Sequence, residues 1–190
     1  DLENILLTFG EKPPVTYSKN ANYTLLRTLV SALRKQFDPE FVFVLGDFLA
    51  HDYDQEYQKY SGDNSAAGTI LFTQKTLTFI IYELQQAFPN ISVYPVMGNN
   101  DFYLKEYQFD PAFCRDFANI WESFGLIKNT KDLESFTKGF ATTGYYSITP
   151  PYTKNLRILV LNSNVFSPKA KHDQKMAYEQ LNWIKEEQIG

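Results

Sequence analysis

The stretch Phe41-Val42-Phe43-Val44-Leu45-Gly46-Asp47-Phe48-Leu49-Ala50-His51-Asp52 decides how the chain is read. Its first five residues are too few for a helix and mostly β-branched or aromatic, so they predict a buried strand ended by Gly46. In front of it, Ala21 to Phe37 places Leu25, Leu26, Leu29, Val30 and Leu33 on one face at helical spacing, leaving Arg27, Arg34 and Lys35 for the other. Behind it, Ser65 to Phe88 predicts a long helix carrying Ile70, Leu71, Leu77, Ile80, Ile81 and Leu84, stopped by Pro89. Ile91 to Met97 predicts a second strand that again runs into a glycine-led loop, Gly98-Asn99-Asn100-Asp101. Strand, helix and strand then form a βαβ unit, which implies parallel neighbouring strands.

The second half predicts a different pattern. Pro111 to Phe124 is a helix with Phe113, Phe117, Ile120 and Trp121 on its apolar side, followed by a polar, turn-rich stretch to Lys138. Gly144 to Ile148 and Leu156 to Leu161 are expected to be strands joined through Pro150 to Asn155 as a hairpin. Gln174 to Gln188 closes the chain as a helix whose Tyr178, Leu181, Trp183 and Ile184 can pack on the sheet. No repeat or low-complexity linker divides residues 1–190, so one α/β domain is expected.

Composition narrows the function classes. At 190 residues, with 44% hydrophobic and 21% charged residues, the chain has the make-up of one globular domain rather than of a disordered tail. A formal charge of −4 argues against a nucleic-acid polymer as partner, because phosphate neutralisation needs a basic face. No apolar stretch reaches the roughly 18 residues that cross a bilayer, so no transmembrane segment is expected. A single cysteine, Cys114, rules out an intrachain disulfide framework, and two histidines, His51 and His172, rule out a self-contained His-rich metal site.

Ligands of open α/β sheets gather beyond the carboxyl ends of strands, and both glycine-led loops occupy that position. Glycine lets the backbone turn sharply there, and Asp, Asn and His side chains can reach a common point. Such a pair suits a metal-centred phosphoester site. An Asp at the strand tip bridges cations, an Asn carbonyl adds a neutral oxygen ligand, and a bridging water becomes the nucleophile. Either loop taken alone is equally readable as a polar turn closed by an Asx bond.

Gly46-Asp47-Phe48-Leu49-Ala50-His51-Asp52 and Gly98-Asn99-Asn100-Asp101 resemble the second and third signature blocks of the calcineurin-like metallophosphoesterases. The His-Asp ending of the first is similar to the acid sphingomyelinase-like phosphodiesterase branch. So are the strand Gly144 to Ile148, the run Leu161-Asn162-Ser163-Asn164, and Gln180-Leu181-Asn182-Trp183. The resemblance implies packed mixed β-sheets flanked by helices. It also implies a hydrolase that cleaves a phosphodiester with a metal-bridging hydroxide, drawing on two Zn²⁺ in the complete protein. The implied substrates are a sphingomyelin-type lipid headgroup, a nucleotide or a small choline phosphoester. A phosphomonoesterase on the same scaffold and a non-catalytic binding module that keeps the fold are the alternatives. The branch is mostly secreted, lysosomal or periplasmic, which sets the expected compartment.

By resemblance, Asp47 matches the metal-bridging carboxylate, Asn99 an Asn metal ligand, and His51 a histidine near the scissile phosphate. The third block normally carries a histidine as phosphate contact and general acid where this chain has Asn100. An amide can hydrogen-bond a phosphoryl oxygen but delivers no proton at neutral pH. The acid role is therefore expected of His51, with Asn100 as a phosphate contact and Asp101 orienting the loop. The family's Asp-x-His block has no counterpart in residues 1–20, and its later histidines would fall after Gly190, so these residues are expected to be the middle of a larger catalytic domain.

Other residues carry blander expectations. His172 is expected to be a solvated loop residue, Cys114 a buried packing thiol, and Asn162 and Asn164 ties that fix loop backbone. Tyr53, Tyr57 and Tyr60, and likewise Phe102 and Tyr103, are either walls of a substrate pocket or parts of an aromatic loop.

Overall fold

A computed structural model describes residues 20–103, 106–150, 155–170 and 174–189. The expected βαβ unit is present. Helix α1 (Tyr23–Gln36) starts at Asn22, whose side chain accepts the Leu25 N–H at 2.9 Å, and ends with Arg34 and Lys35 against the helix dipole. Strand β1 (Phe41–Val44) then pairs in parallel with β2 (Ser92–Pro95), Phe41 opposite Ser92 and Val44 opposite Pro95. Between them come α2 (Tyr53–Ser61) and the 22-residue α3 (Ala66–Ala87), capped by the Ser65 hydroxyl. The buried stripe of α3, Thr69, Thr73, Leu77, Ile81 and Leu84, repeats at three or four residues and so runs straight along the face turned to the core.

The other half is built on an aromatic stack. Helix α4 (Pro111–Ser123) has Asp110 as N-cap and proline at its first position, and it buries Phe113, Phe117 and Trp121 at four-residue spacing. Helix α5 (Thr130–Thr143) adds Phe136 and Phe140, and strand β3 (Tyr146–Ile148) adds Tyr146. Ring centroids lie 5.4 Å apart for Phe117–Trp121, 5.2 Å for Phe117–Phe140 and 5.2 Å for Phe136–Tyr146. Burial of each such ring stabilises by about 1.5–3 kcal/mol, and the polar handles are satisfied as well. Trp121 Nε1 donates to the Val93 carbonyl and Tyr146 Oη to the Pro95 carbonyl, so the stack is keyed to β2. Strand β4 (Ile158–Val160) pairs antiparallel with β3, a 3₁₀ turn covers Ser163–Phe166, and α6 (Gln174–Ile189) follows.

Several expectations change. The strands are shorter than predicted, 41–44 for 41–45, 92–95 for 91–97, 146–148 for 144–148 and 158–160 for 156–161. Strand β1 is half-buried rather than buried, whereas its partner β2, onto which the aromatic stack is keyed, is buried throughout. Leu25, Leu29 and Leu33 of α1 are exposed, since no described element covers that stripe. The stretch read as turn-rich is helix α5, and α2 was not expected at all. On α6, Tyr178 and Leu181 are exposed while Gln180 is fully buried. The middle of the expected hairpin loop, residues 151–154, and His172 lie outside the described residues. Cys114 is fully buried, and burial pushes its thiol well above its ordinary range.

Candidate metal and phosphoester site

The two glycine-led loops meet beyond the tips of β1 and β2, and they meet backbone to backbone. Gly46 sits at φ +87°, and a Cβ there would fall 2.2 Å from the Gly98 nitrogen; one on Gly98 would fall 2.1 Å from the Asp47 nitrogen. Only glycine at both positions permits that approach. Asp47 and Asp52 then take φ values of +55° and +51°, left-handed conformations that Asp tolerates better than most residues.

Asp101 ties the loops together. Its side chain is 1% exposed, and its carboxylate accepts the N–H of Asp47 at 2.8 Å, of Gly98 at 2.9 Å and of Leu49 at 3.1 Å. Burial pushes its pKa up to about 6; the Gly98 and Leu49 N–H groups oppose that rise and the negative Asp47 adds to it. In return, Asp47 Oδ1 accepts the Asn100 N–H at 3.2 Å, and the Asn99 amide donates to Asn100 Oδ1 at 2.8 Å. The structure thus brings Asp47, Asn99, Asn100 and Asp101 together.

His51 stands apart from this knot. Its side chain is 64% exposed, and its Nδ1 lies 2.6 Å from Oε1 of Glu106. The Glu106 hydrogen bond and charge raise the His51 pKa above its ordinary value, with smaller contributions from Asp47 and Asp52. Glu106 was not anticipated, because it lies 55 positions away in a loop with no motif of its own. That loop is held to the site by the Tyr107 N–H, which donates to the Asn99 carbonyl at 3.0 Å.

A cleft of about 420 Å³ opens beside the loops, walled by Tyr53, Thr73, Asn100, Tyr103, Glu106 and Lys169. Of the tyrosines with two readings, Tyr53 walls the cleft; it hydrogen-bonds Thr76, and burial pushes its pKa up to about 12. Tyr103 donates to Asp116 at 2.8 Å and accepts from Gln74 at 3.1 Å, which fixes its ring between α3 and α4. Tyr57 is turned to Asp63, and Tyr60 is exposed.

A second line of support enters from the far end of the chain. Gln180 of α6 accepts the Asn162 N–H at 2.8 Å and donates to the Asn162 carbonyl at 3.1 Å. Asn162 Oδ1 accepts the Asn164 N–H, and Asn164 Nδ2 donates to the Gly98 carbonyl at 2.9 Å. Both asparagines fix loop backbone, and Asn164 fixes that of the site itself.

The donors suit a hard or borderline divalent cation, but only from one side. Asp47 offers a carboxylate and Asn99 a neutral oxygen, and among the described residues no group of three or more His, Cys, Asp or Glu is placed to hold a metal ion. These residues therefore fit part of a coordination sphere and not a whole one.

Two strand-tip loops carrying Asp and Asn, tied at a buried Asp101 beside a polar cleft, define an α/β domain with its candidate site at the carboxyl ends of parallel strands. Residues 19–188 match the model of the calcineurin-like phosphoesterases, and the chain belongs to that family. No curated protein sequence gives a significant match.

Proposed function

We propose that the chain carries the phosphate-binding site of a metal-dependent phosphodiesterase of the acid sphingomyelinase-like branch. The convergence of both glycine-led loops on the buried Asp101 carboxylate supports this reading best, because it holds Asp47 and Asn99 beside Asn100, which lines the cleft. Asp47 and Asn99 would hold a divalent cation, and with further ligands from other residues the site would take a zinc pair. A metal bound there would supply polarisation of the phosphoryl group and an acidified water.

The chain's own residues do the rest. The Asn100 carbonyl oxygen is occupied by Asn99, so its NH₂ group is the donor left for a phosphoryl oxygen. His51, exposed and paired with the cleft residue Glu106, gives its proton to the departing alcohol oxygen, and Asp101 keeps the loops from separating. The cleft has room for an ester group beyond the phosphate, which supports a diester such as a lipid headgroup, a nucleotide or a choline phosphoester. A secreted, lysosomal or periplasmic setting belongs to the same reading.

Turnover of bis(p-nitrophenyl) phosphate against p-nitrophenyl phosphate with added Zn²⁺ or Mn²⁺ tests it. Faster diester hydrolysis that Asp47→Ala abolishes is expected. Hydrolysis confined to the monoester makes the protein a phosphomonoesterase, and metal-dependent activity that survives Asp47→Ala overturns the metal assignment. Asn100, with no proton to give, favours one further reading, a binding module. Phosphoester binding without turnover of either substrate would establish it.

A further inference from the structure

We propose that Glu106 is the positioning residue of His51, holding the imidazole by Nδ1 so that Nε2 is the nitrogen presented to the phosphoester. The inference rests on the reading of His51 as the proton donor and names the group that makes that role workable here.

The geometry carries the argument. A 2.6 Å separation between Nδ1 and Oε1 is a charge-assisted hydrogen bond, and it consumes the one ring nitrogen that faces Glu106. The other nitrogen, Nε2, is then the one left to exchange a proton, which is how a carboxylate fixes both ring orientation and tautomer. Such a pair is not explained by stability, because exposed ion pairs contribute little. Its placement is informative instead. Glu106 and Asn100 both line the cleft, and Tyr107, the neighbour of Glu106, is bonded to the Asn99 carbonyl, so the Glu106 loop is indexed to the strand-tip knot. Among the described residues the charged groups acting on His51 are Glu106, Asp47 and Asp52, and Glu106 acts most strongly. Asn100 leaves the neighbouring loop without an acid, so a His–Glu pair restores a proton carrier from outside that loop.

The test follows the imidazole directly. The chain has two histidines, so NMR titration of the ring signals, assigned with His172→Gln, reads His51 alone. Glu106→Gln is expected to shift the His51 titration to lower pH and to leave that of His172 unchanged, with Glu106→Asp recovering part of the shift. An unchanged His51 titration in Glu106→Gln overturns the pairing whether or not the protein turns over any ester. In the metal-loaded protein, Glu106→Gln is expected to lower kcat about tenfold or more on alkyl esters, much less on nitrophenyl esters, and to add nothing in a His51→Ala background. An equal loss in that background shows that Glu106 acts independently of His51 and overturns the positioning role. Absence of turnover by the unmodified protein counts against the phosphodiesterase reading, while the titration still decides the pair.

Discussion

The Asp101 carboxylate accepts the backbone N–H of Asp47 at 2.8 Å, across 54 positions of sequence. That bond joins the two strand-tip loops, and the same oxygen also holds Gly98.

Asp101→Asn keeps the shape but turns one acceptor into a donor that faces backbone N–H groups. The expected loss is about 1–3 kcal/mol of stability, the cost of leaving a buried N–H unpaired. Urea denaturation of the metal-free proteins measures it, and Zn²⁺ affinity should fall alongside as Asp47 and Asn99 lose their fixed spacing. Unaltered stability and affinity would mean that Asp101 does not lock the loops.

The same carboxyl group sets a pH dependence with a definite sign. Its folded pKa of about 6 lies above that of an unfolded Asp, about 3.9. The native state therefore binds the extra proton between those values. The group favours folding most below about pH 4, and its contribution is lost as pH rises through about 6. The stability difference between the native protein and Asp101→Asn should thus decline from pH 4 to pH 7. A flat or rising difference would contradict the buried, proton-holding carboxyl.

Glycine substitutions should separate steric from conformational cost. Gly46→Ala adds a left-handed penalty to a clash with Gly98 backbone and is expected to cost about 3 kcal/mol or more. Gly62 ends α2 at φ +71° with nothing within 4 Å of an added Cβ, so Gly62→Ala should cost only about 1–2 kcal/mol. Thermal unfolding of both variants ranks them, and equal losses would remove the close approach as the cause.

Asn164→Ala cuts the buried bond to the Gly98 carbonyl without touching the strand tips. An expected loss of about 1–2 kcal/mol, with weaker Zn²⁺ binding, would show that α6 supports the site through Gln180 and Asn162. Weaker folding at unchanged metal affinity would confine Asn164 to stability.

The legible parts of this chain are those where local pattern and fold agree. The runs at 41–45 and 91–97 are short, apolar and followed by glycine, which suits strands entering ligand loops, and the stripe on α3 has one reading. Helix α5 was obscured because Thr130, Thr137, Thr142, Thr143 and Gly139 lower its helix propensity, while Leu133, Phe136 and Phe140 still supply a buried face. Helix α2 hides its packing in rings: Tyr53 and Tyr57 both stack on Phe72. On α1 the periodicity was real, but a stripe does not announce whether anything covers it. Glu106 was invisible for another reason, since its meaning lies in a partner that only tertiary structure brings near.

Cys114 lends the molecule a built-in clock. A lone thiol with no exposed surface, wedged between Phe113 and Phe117 on the helix that anchors the aromatic stack, can meet a thiol reagent only when that stack comes apart. The rate at which a disulfide reagent labels the native protein therefore reports the open population of the core, and at reagent concentrations where labelling outpaces reclosing it counts how often the core opens.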